Sequence, residues 1–262
     1  MSAAGDRLAV FSGPVSAKER IPHYRNLLYG EHKAGKTIAA CHCGRSPLLF
    51  SCDNGWVSLK DWPELDHVMV DECQNLKHFE VFVKALVDDD PLYRSIDHII
   101  VDPFNMLVDM YIDYLQDNFS PSSADARVYW TKIAGAPDVD SKPFTTAGMG
   151  DYHAVRNHFR KIIYPLFRIN KHVTLICHER EPSFMDKHRD IRAALPGKTL
   201  AMVAQSVDFI SHMIEDEGKR TVNFKPSARE DAGSRFRYLH GQVISADDLP
   251  KIYTKWDGTT NV

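Results

Sequence analysis

The sequence predicts an α/β domain with a mainly parallel sheet covered by helices on both faces. Short apolar runs rich in Val, Ile and Leu alternate with longer amphipathic segments, and strands separated by crossover helices pair in parallel. A glycine-containing loop, Gly30 to Thr37, also stands between one such run and a small-residue helical run, where an α/β sheet offers a loop to phosphate.

The first strand is expected over 26–29, where Asn26-Leu27-Leu28-Tyr29 leads into the loop. Further strands are expected over 48–52, 67–70, 98–102 and 173–177, each short and apolar enough to be buried. Between them, 76–87, 104–115 and 152–170 carry helical periodicity. After Phe209 the pattern changes, and Lys-Arg-Thr-Val-Asn-Phe-Lys-Pro, 219–226, reads as a later strand near the sheet edge. Two stretches are irregular: 118–150, carrying Ser, Pro, Gly and Asp throughout, and 180–199, after the last core strand. At its length the first is a functional loop or an insertion more often than a simple connection. No internal repeat is visible, and 262 residues fit one domain with a core of about 26–253 and short extensions.

Composition narrows the function classes. A hydrophobic content of 44% and a charged content of 26% are ordinary for a globular chain, and no apolar run approaches the ~20 residues that span a bilayer. The start, MSAAGDRLAVFSGP, lacks a charged-then-apolar leader pattern, so a cytoplasmic location is expected. A net charge of -3 does not advertise nucleic-acid binding; a polyanion would have to be met by local basic loops. Five cysteines without framework spacing indicate reduced thiols, and Cys41-His42-Cys43 has no second ligand pair to make a zinc site.

Gly30-Glu31-His32-Lys33-Ala34-Gly35-Lys36-Thr37 fits G-x-x-x-x-G-K-[ST] in its strand-loop-helix setting, which makes the eight residues the expected nucleotide-binding loop. The glycines let backbone amides curl around a β-phosphate. Lys36 would reach the β- and γ-phosphates, and Thr37 would offer its hydroxyl to Mg²⁺, so ATP and Mg²⁺ are the expected cofactors. A second acidic group is needed to hold the ion. Asp102, ending the run Ile-Asp-His-Ile-Ile-Val-Asp, supplies it, although an aspartate there could also cap the following helix. Asp102 lies 66 residues beyond Lys36 with a strand and a helix between, which implies that another strand separates the two motif strands in the sheet.

With these residues in place, LLFSCDNGW, HIIVDPFNML, GMGDYHAVRNHF, VTLICHERE and LPGKTLAMVAQSVDFI follow in the order seen in phage RecA-like ATPases. The chain resembles especially the compact single-strand annealing proteins that phages use in recombination. The resemblance covers roughly 26–253 and implies a RecA-like P-loop core. It implies that Asp53, where the pattern commonly has Glu, polarises the attacking water; read locally, Asp53-Asn54-Gly55 is a turn signal instead. It implies that His178 senses the γ-phosphate and passes its state to the loop that follows, against the alternative of a surface histidine at a strand end.

The same resemblance makes the irregular segments DNA-binding loops, with Arg127, Tyr129, Trp130 and Lys132 in the first and Lys187, Arg189 and Arg192 in the second. It implies head-to-tail assembly into a ring or filament, in which one of Arg229, Arg235 and Arg237, with Arg235 the choice, could reach a neighbour's γ-phosphate as an arginine finger, against the alternative of a surface charge. Single-stranded DNA, further copies of the chain and a single-strand-binding protein are the implied partners, with no membrane; a phage-encoded chain would act in the bacterial host cytoplasm. Two function classes stand at this point: an ATP-dependent recombination or annealing protein that grips single strands, and a regulatory P-loop ATPase switch that acts on a protein partner without DNA. A replicative helicase is less favoured because no accessory domain is evident, and His178-Glu179 lacks the second histidine of a zinc protease.

Overall fold

The structure is a computed structural model and describes residues 23–118, 149–180, 191–196 and 198–254. Among these residues nine strands form one sheet: β1 (Arg25–Gly30), β2 (Pro47–Ser51), β3 (Met69–Glu72), β4 (His98–Asp102), β5 (His172–His178), β6 (Phe209–Asp216), β7 (Lys219–Asn223), β8 (Gly233–Ser234) and β9 (Val243–Ser245). The order is β3-β2-β4-β5-β1-β6-β7-β9, with β8 paired to β6. The pairings from β3 to β6 are parallel, whereas β7, β8 and β9 pair antiparallel. β5 lies between β1 and β4, so the strand of the phosphate loop and the strand of Asp102 are separated as their spacing in the sequence implied.

The helices are α1 (Lys36–Cys41), α2 (Leu76–Val87), α3 (Phe104–Asn118), α4 (Met149–Leu166), α5 (Thr199–Ser206) and α6 (Leu249–Thr254). Alternation along the strands divides the core between the two faces. Leu27 and Tyr29 of β1 join Phe79, Phe82, Phe104, Phe159 and Val203 from α2 to α5. Leu28 faces the other way, towards Ile38 of α1, Phe224, Leu249 and Tyr253. This is the α/β P-loop fold expected from the sequence.

Differences from the expected boundaries have local causes. β3 begins two residues later than expected because it is an exposed edge strand, where apolarity is a weak guide and pairing of Leu48 with Met69 sets the register. α4 stops at Leu166 rather than 170, with Pro165 in its last turn and Arg168 N–H turning back to the Pro165 carbonyl at 3.0 Å. The late strand at 219–223 is one arm of the β6–β7 hairpin, with β9 outside it.

Candidate functional site

The parallel strands end together at one edge of the sheet, and the loop from Gly30 to Thr37 crosses it. Gly30 is required by proximity: a Cβ there would stand 2.2 Å from the Met213 carbonyl oxygen on neighbouring β6. Gly35 has φ +91°, which a side chain rarely adopts, and a Cβ there would lie 2.9 Å from the guanidinium carbon of Arg220. The loop between them is tight, with Lys33 at φ 65° and Ala34 N–H directed at the Glu31 carbonyl. Lys36 is 5% exposed, and its Nζ donates to the carbonyls of Gly30 at 3.0 Å and Glu31 at 2.6 Å. Burial lowers the pKa of this ammonium, opposed by the charge of Asp102.

Thr37 Oγ1 donates to Asp102 Oδ2 at 2.5 Å, which joins α1 to the end of β4. Burial raises the Asp102 carboxyl from 3.8 to about 6, Asp53 pushes in the same direction, and the Thr37 bond and Lys36 pull it back. A hydroxyl and a carboxylate side by side are the hard oxygen donors that suit Mg²⁺. Together with a loop that leaves no room for a Cβ at Gly30 or Gly35, they fit a magnesium-bound nucleotide.

Asp53 lies just past the end of β2, exposed, with Oδ1 accepting from Gly55 N–H at 2.7 Å. It therefore makes the local turn, while among the described residues Oδ2 has no hydrogen-bond partner. Its charge is felt by Lys36, Asp102 and His178, which places it at the same edge. His178 ends β5 and stacks on His32 of the loop at 3.8 Å between centroids. Burial, then Lys36 and His32, bring its pKa down to about 4, so the ring is neutral at neutral pH. Asn105, on the first turn of α3, accepts from His178 N–H at 3.1 Å.

A paired stem starts immediately beyond His178. Glu179 bridges to Ala193, Arg180 N–H donates to the Arg192 carbonyl at 2.7 Å, and Ala194 N–H donates to the His178 carbonyl at 2.8 Å. The stem is fastened at its base by His212, whose ring lies between Glu230 at 2.6 Å and Glu179 at 3.1 Å and stacks on Tyr29.

The remaining expected site residues fall elsewhere. Arg127, Tyr129, Trp130 and Lys132 in 119–148, and Lys187 and Arg189 in 181–190, lie outside the described residues. Arg192 is in the stem, 3.8 Å from Asp231. Arg235 sits at the opposite end of the sheet, where its guanidinium meets the Gln205 carbonyl at 2.5 Å and Asp208 at 3.7 Å. Sequence reasoning missed Asn105, His212, Glu230 and Arg220. Only Asn105 carried a local signal, three residues after Asp102 at a helix start; the others depend on the path of β6 and β7.

A family model described as an AAA domain matches residues 23–236. No curated protein matches the chain by sequence. Among solved structures, the chain is similar to the crystal structure of the RadB recombinase, at 10% identity over 85% of this chain and 86% of that one, with a TM-score of 0.44.

Proposed function

The chain belongs to the AAA domain family, whose phosphate loop marks a nucleotide-binding ATPase, and from that premise we propose a Mg²⁺-dependent ATPase that uses its nucleotide state to control a grip on single-stranded DNA. The observation that carries this reading is the position of His178. Its ring touches the phosphate loop through His32, and its backbone leads within one residue into the stem that bears segment 181–190.

Mg²⁺, when bound, would supply positive charge that neutralises the phosphates. Thr37 and Asp102 would hold it, and the amides of 31–37 with Lys36 would orient the phosphates. Asp53 presents its free carboxylate oxygen for the attacking water. His178, neutral and stacked, can exchange its contact with His32 for one to the terminal phosphate, and any such movement is transmitted to the stem between Glu179 and Ala193. Arg127, Tyr129, Trp130 and Lys132 on one segment and Lys187, Arg189 and Arg192 on the other supply rings for bases and cations for phosphates. Arg235 acts as a finger only in a head-to-tail assembly, since it lies at the far end of its own sheet.

The test is fluorescence anisotropy of a labelled single strand, with and without a nonhydrolysable ATP analogue, alongside ATP turnover with and without DNA. Nucleotide-dependent binding is expected. Neutralising Lys187, Arg189 and Arg192 together flattens the salt dependence by about 0.7 in log-log slope for each DNA phosphate no longer gripped, and Trp130→Ala costs ~1–3 kcal/mol if a base stacks on it. No binding in either nucleotide state at low salt would overturn the DNA reading and leave the regulatory switch acting on a protein partner.

A further inference from the structure

Arg220 is a half-buried arginine on β7 whose guanidinium lies against the phosphate loop. A Cβ on Gly35 would stand 2.9 Å from its Cζ and 3.0 Å from its Nε and Nη1, so the loop and this side chain meet only because position 35 is glycine. Among the described residues the Arg220 side chain has no hydrogen bond or ion pair. Its guanidinium lies instead against the phosphate loop at Gly35.

Arg220 also lines a pocket of about 280 Å³ between α1 and α6. That volume is at the small end of the roughly 300–1,000 Å³ typical of small-molecule sites. Its walls mix flat or apolar surface, from Trp62, Ile38, Met213 and Pro250, with the carboxylates of Glu64 and Asp247. Asp247 lines the same pocket without pairing with Arg220, and Glu64 stands 3.7 Å from His42. The pocket reaches the loop at Gly35. A ligand that suits both regions has an anionic chain on the loop and a flat, partly polar body beside it.

Resting on the phosphate-loop reading above, we propose that Arg220 is a nucleotide-binding residue of this chain's own site, gripping the phosphate chain where it leaves the loop, and that the pocket beside it takes the base and sugar. A guanidinium suits this position because its planar fork can bind two phosphate oxygens at once, which an ammonium cannot. The β6–β7 hairpin is thereby part of the nucleotide site and not only an extension of the sheet.

The experiment titrates ATP, ADP and inorganic tripolyphosphate into the wild type, Arg220→Ala, Arg220→Lys, Asp247→Trp and Lys36→Ala, with thermal melts of each. Arg220→Ala is expected to raise the Kd for all three ligands by about 10-fold to 100-fold, the effect of removing one charge-assisted hydrogen bond. Its ligand-free Tm stays at the wild-type value while the ATP-induced rise in Tm shrinks, and in turnover the deficit appears in KM rather than kcat. Arg220→Lys recovers part of the affinity. Asp247→Trp, which fills the pocket, weakens ATP and ADP but leaves tripolyphosphate unchanged. If the wild type binds ATP, Lys36→Ala does not and Arg220→Ala binds as the wild type does, this inference falls while the phosphate loop stands. Unchanged ATP affinity in Asp247→Trp overturns the base pocket. A wild type that takes up none of the three ligands overturns both the inference and the reading beneath it.

Discussion

Where the parallel strands begin, His98 and His172 sit among Tyr24, Phe209 and Tyr253; where they end, Lys36, Asp102 and His178 sit around the phosphate loop. Both ends bury ionisable groups, but they satisfy them differently. At the starting end most partners are protein, although among the described residues His98 Nδ1 and Asn26 Nδ2 are buried without a hydrogen-bond partner. His98 Nε2 meets Thr174 Oγ1 at 2.8 Å, Thr174 meets the Tyr253 hydroxyl at 3.1 Å, and His172 Nδ1 accepts from Tyr24 N–H at 2.9 Å. Rings fill the remaining space, with Tyr24 stacked on His172 and edge-on to Phe236. At the finishing end Lys36 turns to loop carbonyls, His178 leaves Nδ1 buried without a partner, and Arg220 has no ion pair among the described residues. One end closes the core with packed rings, and the other gathers its polar groups around the phosphate loop.

The sharpest way to break this contrast is to damage each end and read both properties. Phe209→Ala removes a buried ring from the starting end and should cost ~3–5 kcal/mol of stability, with a lower Tm but unchanged nucleotide affinity in the protein that remains folded. A fall in affinity with no fall in stability would show that the ends are not separable.

At the finishing end, Asp53→Asn should slow ATP turnover by ~10²-fold or more while sparing binding. Asparagine keeps an Oδ1 to accept from Gly55 N–H, so the turn survives the substitution. Asp102→Asn should instead reduce the gain in nucleotide affinity that Mg²⁺ provides. Equal losses of affinity in both variants would contradict the division of roles, and normal turnover in Asp53→Asn would return that residue to the turn alone.

A smaller effect comes from pH, and burial drives it in opposite directions at the two ends. Burial raises Asp102 to about 6, so any stability it contributes is greatest below its unfolded value of 3.8 and disappears as pH rises through about 6. Its ionised, metal-holding form is lost in the other direction, and Mg²⁺-dependent affinity should weaken as pH falls through about 6. Burial depresses His98 to about 3 and His172 to about 4; stability from keeping them neutral is complete above 6.5 and is lost as pH falls through those values. Nucleotide titrations and melts across this range should therefore show affinity failing before the fold does. Coincident transitions would contradict the assignment of separate groups.

Much of this arrangement is legible in the sequence because it is local or periodic. The run 98–102 can be read to the residue, as can the helix 76–87, since buried parallel strands and amphipathic helices carry their own patterns. The eight-residue loop and Asp102 are legible because phosphate chemistry requires those residue types at that spacing. Arg220 is not. Nothing in Lys219-Arg220-Thr221 distinguishes it from a solvated strand end until pairing of Glu215 with Arg220 folds the hairpin back beside Gly35. The same holds for His212, whose two carboxylate neighbours come from positions 179 and 230. Long-range antiparallel returns leave little trace in a single sequence, and the part of the site that they build emerges only from the fold.

The most direct test of the central claim, that the finishing edge is a nucleotide site, is calorimetric titration of Mg²⁺-ATP into the wild type and Lys36→Ala, with a thermal melt of each. Saturable binding is expected in the wild type and none in the variant. The variant should keep its ligand-free Tm, because the ammonium it lacks is one that burial disfavours. Wild-type affinity in a folded Lys36→Ala protein would contradict the account.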